Sequence, residues 1–484
     1  MTKHNPVLLI HGYSASGESF KKWAEILSTK EYDVKSIHVC SYRTLTNEVT
    51  VKDLAEGFDR ALRLQSGLEN DEEFDAIVHS TGMLVLRSWL TTYAGRRKRL
   101  KRLIGLAPAT FGSPLAHKGR SWLGAIFKGN RQWGPDFLEA GDRVLDALEL
   151  SSPFTWNLAH KDLIIPDEKD PKKEKALYGE GNDTPYVFVL CGTEGYDGIT
   201  SLVNEPGMDG TVRWAGCPLN TRKIKIDLTQ DPQRERGKRI EIRPWYQNID
   251  IPLVPVFGLN HETIMSPHPK RDERYAELID LVVSALNVSN KDDFANWHTE
   301  AQACSKQNEL IKQKKAWQQF VIHVADERGD PISDFYIQLF TKKRDRDTAP
   351  LREIEVGMDV HTYTKDPSYR CFHLNLSDLG FNEQRQVQLD NLHLRIIASS
   401  GSEYVGYYGF GSEKVSDDAQ NIDRTKTWDA QLDISSLLNH SIVRLFHPFT
   451  TTLIEIRLNR EPLPLDRSSP NEVCWFLDKK HSRG

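Results

Sequence analysis

The chain of 484 residues has little cysteine, and what it has shows no pattern. The six thiols, at positions 40, 191, 217, 304, 371 and 474, include no Cys-x-x-Cys pair. This spacing points to neither a zinc site nor a disulfide framework, so reduced thiols are expected. Charge of one sign is also lacking. A net charge of −5 gives no electrostatic footprint for nucleic acid, and no nucleic-acid partner is expected. No apolar run approaches the ~20 residues that a membrane-spanning helix needs. The first residues, MTKHNPVLLIHGYSASG, enter a strand at once and lack the charged, apolar and cleavage regions of a secretory signal. The expectation is a cytoplasmic protein, or one exported by a route without a cleavable signal. No repeat of fixed period and no low-complexity tract is visible. What remains, 39% hydrophobic and 27% charged residues, describes a soluble globular chain long enough for two or three domains.

The most informative stretch is FDAIVHSTGMLVLRSWL, residues 74 to 90. Phe74 to Val78 reads as a short buried strand. His79-Ser80-Thr81-Gly82 interrupts it, and Leu84, Val85, Leu86, Trp89 and Leu90 follow with helical spacing. Strand, tight turn with one serine, then helix is the plan of a nucleophile elbow, which holds a serine hydroxyl above the sheet on a strained turn.

Around this stretch, strands and helices alternate. Pro6 to Ile10, Val34 to Val39, Leu103 to Ala107, Tyr186 to Cys191 and Leu253 to Phe257 read as strands, and Lys223 to Leu228 adds one more. Helices are expected after Ser19, over Val51 to Leu64 and over Arg271 to Leu286. This alternation predicts a mostly parallel sheet covered on both faces. Residues 115 to 185 break the rhythm with helical patterns such as Phe137 to Leu150. They also carry the exposed-looking aromatics Trp122, Phe127, Trp133, Phe137, Phe154 and Trp156, which argues against disorder. A linker helix is expected over residues 289 to 317, as one amphipathic element from Asp292 to Lys315. Beyond it, short strands with turns between them predict a β-sandwich over residues 318 to 484. Its first part, HVADERGDPISDFYIQLF, looks like the opening hairpin of immunoglobulin-like or prealbumin-like sandwiches, with the turn at Gly329 and Asp330. The basic residues Arg96 to Arg99, Lys101 and Arg102, and the run Asp167 to Lys175, read as solvated charge.

If Ser80 is a nucleophile, the chain must also supply a base, an acid and oxyanion donors. His11-Gly12-Tyr13 follows the first strand, where a glycine lets the backbone aim an N–H at a reacting carbonyl. The backbone N–H groups of Tyr13 and Thr81 are the candidate donors. His261 follows the strand Leu253 to Phe257 in a Gly-Leu-Asn-His loop, and His268, seven residues on, is the weaker alternative. For the acid there are two Asp-Gly pairs, Asp209 and Asp197, and either could be a turn. His11 and His79 flank the site as structural residues.

The order of these parts, His-Gly-Tyr, then Ser80, then Asp-Gly-Thr-Val at 209 to 212, then Asn-His at 260 to 261, carries a resemblance. Residues 1 to 288 are similar to serine lipases and esterases of the α/β-hydrolase superfamily, such as bacterial triacylglycerol lipases and lipases of the GPI-inositol-deacylase type. The resemblance implies an α/β-hydrolase domain with a helical, lid-like insertion at 115 to 185, ahead of the all-β sandwich. It implies Ser80 as nucleophile, His261 as base, Asp209 as acid, Tyr13 and Thr81 as oxyanion donors, and an acyl-enzyme route on lipid acyl esters. Two positions depart from the family. Val78 replaces the first glycine of Gly-x-Ser-x-Gly. Thr263 stands where many bacterial lipases have a calcium-binding aspartate, so no calcium, other metal or cofactor is expected. The alternatives are an esterase or amidase of small soluble substrates, and a binding or delivery module on a vestigial hydrolase fold. The sandwich is expected to dock a membrane, a partner or the catalytic domain.

Overall fold

Uninterrupted apolar strands leave no face for water, so they form a sheet only where helices cover both sides. The computed structural model describes residues 4–12, 20–33, 37–40, 48–65, 68, 72–93, 95, 97–117, 142–164, 177–179, 183–229, 240–243, 250–268, 273–342, 352–409, 428–438 and 444–462. In it β1 (Val7–Ile10), β2 (Ile37–Cys40), β3 (Phe74–His79), β4 (Leu100–Leu106) and β5 (Tyr186–Gly192) build such a sheet. Next in the chain come β6 (Thr221–Asp227), β7 (Ile240–Arg243) and β8 (Leu253–Val256), of which only β8 joins it. The order is β2-β1-β3-β4-β5-β8, with every neighbouring pair parallel. From β1 the chain steps outward to β2 and then returns to the other side for β3. The order therefore reverses between β1 and β3, and the crevice beyond their carboxyl ends is where an open α/β sheet places its ligand site.

The covering helices follow from local sequence. Among those described are α1 (Lys21–Thr29), α2 (Val51–Leu64), α3 (Gly82–Thr92), α4 (Asp142–Leu148), α5 (Pro153–Asp162) and α6 (Arg274–Asn287). Thr50 starts α2 with a capping box: its Oγ1 accepts the Asp53 N–H at 3.2 Å, and Asp53 Oδ2 accepts the Thr50 N–H at 2.8 Å. Val51, Leu54, Ala55, Phe58 and Leu62 then form the buried stripe. Helix α3 is buried from Gly82 to Leu90, including Arg87 and Ser88. A guanidinium so placed needs a partner. Arg87 Nε and Nη2 donate to Asp162 on α5 at 2.8 and 2.9 Å, and Nη1 donates to Thr110 O at 2.7 Å. The Tyr178 hydroxyl donates to the same Asp162 carboxylate at 2.7 Å. This network ties the helix behind Ser80 to the insertion.

The C-terminal half begins after α7 (Lys291–Glu300) and α8 (Ala303–Lys312). Its strands are β9 (Trp317–Asp326), β10 (Asp334–Thr341), β11 (Arg352–Glu353), β12 (Met358–Thr362), β13 (Tyr369–Asn375), β14 (His393–Ser399), β15 (Val405–Tyr408), β16 (Trp428–Asp433) and β17 (Thr451–Pro462). One sheet is antiparallel, in the order β11-β10-β14-β16. The other runs β12-β13-β9-β17-β6-β7, with β15 also on β17. Between them lies an apolar cavity of about 490 Å³, lined by Ile224, Ile226, Phe320, Ile322, Leu394 and Ile454 among others.

The structure changes several expectations. The strand expected at 223 to 228 is β6, but it leaves the N-terminal sheet and pairs in parallel with β17. The linker is two helices rather than one, broken at Gln302, whose φ of +48° no α-helix accommodates. The expected hairpin at Gly329 is a crossover, because β9 pairs with β13 and β17 while β10 pairs with β11 and β14. The basic segment is not wholly solvated. Arg99 is buried, donating to Glu72 O and Leu68 O, and Arg102 pairs with the buried Asp75 at 2.9 Å. Trp156 is buried too, with its ring against His323 and Tyr369 of the sandwich at 5.8 and 5.7 Å. Trp122, Phe127, Trp133, Phe137 and the run Asp167 to Lys175 lie outside the described residues.

Two stability predictions follow from buried charge. Arg87→Met leaves Asp162 buried without its partner and should cost about 3–5 kcal/mol in chemical denaturation, whereas Arg87→Met with Asp162→Leu should recover most of that loss. Near the β6–β17 pair, burial would raise the Glu455 carboxyl, but Lys223 at 2.5 Å and Arg457 at 2.9 Å hold it down at about 2. A depressed carboxyl stabilises the fold above its unfolded value of 4.5 and loses that contribution as pH falls towards 2. The gap in unfolding free energy between the parent and Glu455→Gln should therefore be widest above pH 5 and shrink at pH 3. A gap independent of pH would contradict the assignment.

Candidate active site

Ser80 follows β3 with φ at +51°, a left-handed conformation that costs a non-glycine residue of order 1–3 kcal/mol. Neighbouring backbone holds it there. Its N–H donates to Leu106 O at 3.3 Å, and its carbonyl accepts from Met83 N at 3.2 Å and Ala109 N at 3.1 Å. Thr81 is the N-cap of α3, at the helix end whose N–H groups have no intrahelical acceptor. Val78, the departure from the glycine pattern, is fully buried and stands opposite Gly105 on β4. A Cβ at Gly105 would lie 2.9 Å from Met83 Cε and 3.1 Å from Pro108 Cγ. Gly105 thus leaves room for Met83 of α3 and for Pro108 in the loop after β4.

The loop after β1 meets this turn. A Cβ at Gly12 would lie 2.7 Å from Ser80 Cβ and 3.2 Å from His79 Nδ1, so the position admits only glycine. Tyr13, the other expected oxyanion donor, lies outside the described residues. His11 is buried, and its Nδ1 is 2.6 Å from Gly12 O. Burial lowers its pKa, with the Gly12 hydrogen bond opposing.

The structure brings Asp209 and His261 together. His261 Nδ1 donates to Asp209 Oδ2 at 2.9 Å, and the His261 N–H donates to Asp209 O at 2.9 Å. The second carboxylate oxygen accepts the N–H groups of Thr211 at 3.0 Å and Val212 at 2.8 Å. Asp209 N–H donates to Val212 O, so the Asp-Gly pair is a turn and the partner of His261 at once. Bonding through Nδ1–H leaves Nε2 with the lone pair, the tautomer a general base needs. An Asx turn presents His261: Asn260 Oδ1 accepts from Glu262 N at 3.1 Å and Thr263 N at 2.9 Å. His79 Nε2 donates to His261 O at 3.0 Å. Burial pushes the His79 imidazole well below its usual range, and the nearby His261 adds to this, so it serves as a neutral donor. The alternatives fall away from this pair. Asp197 is exposed ahead of a 3-10 turn at Gly198–Val203, and His268 packs edge-on to Tyr275 at 6.4 Å.

Sequence reasoning missed the surroundings of the acid. Cys191, at the carboxyl end of β5, points its thiol at Asp209 Oδ2 at 3.5 Å, and Cys217 Sγ lies 3.6 Å from Cys191 Sγ. Burial pushes both thiols up, which keeps Cys191 a donor. Its place at the end of a strand beside the site was the available signal. The acid loop is also gripped by the sandwich. Buried Arg213 donates to Glu205 Oε2 at 3.0 Å, to Asp359 on β12 and to Cys371 Sγ on β13 at 3.6 Å. Thr451 Oγ1 of β17 donates to Ala215 O at 2.8 Å. The large apolar cavity of the sandwich shares no residue with this constellation.

Gly12→Ala should fold with a lowered melting temperature and displace the loop from Ser80. A misplacement near 1 Å costs about 10²-fold in turnover. Ester hydrolysis by the purified variant checks this, and parent-like turnover would remove Gly12 from the site.

No protein-family model matches the chain, and no curated protein matches it in sequence. Two solved structures match it from end to end. Phospholipase PlaB from Legionella pneumophila is 21% identical, with a TM-score of 0.72 covering 99% of this chain and 97% of that one. The same phospholipase in complex with thio-NAD gives the same values. The mature lipase BlEst2 from Bacillus licheniformis, 15% identical over 55% of this chain and 88% of its own, reaches a TM-score of only 0.34 and carries no argument. Strand order and end-to-end likeness agree: the N-terminal half of this chain has the α/β-hydrolase fold, and a β-sandwich half follows it.

Proposed function

We propose that this protein is a serine carboxylic-ester hydrolase that cleaves the acyl esters of lipids. The observation that carries the reading is the buried His261–Asp209 pair at 2.9 Å, on loops that follow strands of the same sheet as the strained Ser80 turn. In the proposed reaction His261 Nε2 takes the Ser80 proton while Oγ bonds to the ester carbonyl carbon. The carbonyl π-electrons move to oxygen, and the N–H groups of Tyr13 and Thr81 stabilise that charge, each by about 3 kcal/mol. Collapse breaks the bond to the alcohol, which leaves with the proton from His261. A water, deprotonated by His261, then attacks the acyl-serine and releases the fatty acid. Asp209 stays ionised and stabilises the imidazolium.

A lipid substrate is favoured over a small ester by two features. The solved structure matched along the whole chain is described as a phospholipase. Ser80 is only 2% exposed, a burial that suits a site opened by a moving lid. A lid at residues 115 to 185 that opens on aggregated substrate would do this.

Ser80→Ala should abolish hydrolysis of phospholipid and of short acyl esters and should remove labelling by a fluorophosphonate. In the parent, the rate should rise with acyl length and jump above the aggregation threshold. A preference for soluble short esters would point instead to a small-substrate esterase. An unlabelled Ser80 in folded protein would leave only a binding role.

A further inference from the structure

Away from the Ser80 site, a second cluster of ligand-type side chains spans the junction of the two halves. His117 follows the 3-10 turn Pro114–Ala116, Glu149 follows α4, and His361 lies on β12 of the sandwich. One ligand atom from each lies within 4.8 Å of the others. We propose that His117, Glu149 and His361 bind a zinc ion that clamps the sandwich to the hydrolase half.

Geometry and donor chemistry both support this. Zinc–nitrogen and zinc–oxygen bonds of about 2.0–2.2 Å put tetrahedral ligand atoms about 3.3 Å apart. Glu149 Oε1 lies 2.9 Å from His361 Nε2 and 3.7 Å from His117 Nδ1, and with no pair beyond 4.8 Å a rotation of the exposed His117 side chain closes the triangle. Two imidazoles and a carboxylate suit zinc and disfavour magnesium or calcium, which take oxygen ligands. The side chains of Glu149 and His361 are 7% and 12% exposed, while that of His117 is 53% exposed. The ion would therefore sit at a rim, with its fourth position open to water.

The supports are in place. Glu149 Oε1 accepts the Thr364 N–H at 2.9 Å and the Thr364 hydroxyl at 2.7 Å, which fixes the carboxylate. In the metal-free protein the proton on His361 Nε2 bridges to Glu149 Oε1. Zinc takes its place, and the imidazole keeps its one proton on Nδ1 while Nε2 turns its lone pair to the metal. The clamp also reaches the acid loop. Ser113 forms a parallel bridge with Glu149, and its hydroxyl donates to Thr211 O at 2.6 Å. The inference does not depend on the reaction proposed above.

The test uses the full-length, tag-free protein, stripped with chelator and titrated calorimetrically with zinc chloride. One zinc per chain should bind and raise the melting temperature, while magnesium chloride should give no saturable heat. His117→Ala, at an exposed position that the fold does not need, and His361→Ala should each weaken zinc binding at least about tenfold. Absence of saturable one-site binding, or equal affinity in the parent and both variants, would overturn the proposal.

Discussion

A carboxylate buried beside a histidine must be surrounded by donors, and here that requirement organises much of the chain. Asp209 takes its donors from its own turn, from His261 and from the thiol of Cys191. None of these would hold if the loop drifted. Arg213 and Ala215 of that loop are in turn fastened to β12, β13 and β17. The sandwich is thus not an appendage that the hydrolase half could shed unchanged. It forms one wall of the mould in which the acid is set.

Ser80 is handled by the opposite strategy, strain accommodated by absence of atoms. It is forced into a left-handed conformation, and the space beside it comes from Gly12, where a Cβ would lie 2.7 Å from Ser80 Cβ. Val78 looks like a defect when only its own motif is read. In the structure it is a fully buried core residue near the end of β3.

Legibility in the sequence tracked how local each signal is. Ser80 and α2 rest on contiguous patterns, an apolar strand before a turn and a capped amphipathic helix, and the structure has both. Asp209 and Asp197 sit in the same dipeptide, so only the position of His261 separates them. The strand at 221–227 was visible as a strand, but its pairing with β17, more than 200 residues on, leaves no local trace. The turn residues at Gly329 mark a change of direction without saying which sheet receives the chain next. Gln302 breaks a helical pattern with neither glycine nor proline to announce it. Cys191 and Cys217 are separated by a stretch too long for any spacing rule, yet they touch.

One topological detail bears on how the molecule is made. β17, at residues 451–462, lies between β9 and β6 and is hydrogen-bonded to both in parallel. During synthesis β6 and β9 emerge first and wait for β17, whose residues 451–462 follow much later. Parallel pairing over such separations is slow to nucleate. The wall that steadies Asp209 therefore assembles only after β17 has followed β6 and β9. A nascent chain still on the ribosome carries Ser80 and His261 without a finished site. The length of polypeptide between β9 and β17 itself acts as a delay, so the loop of Asp209 gains this wall only once β17 has been made.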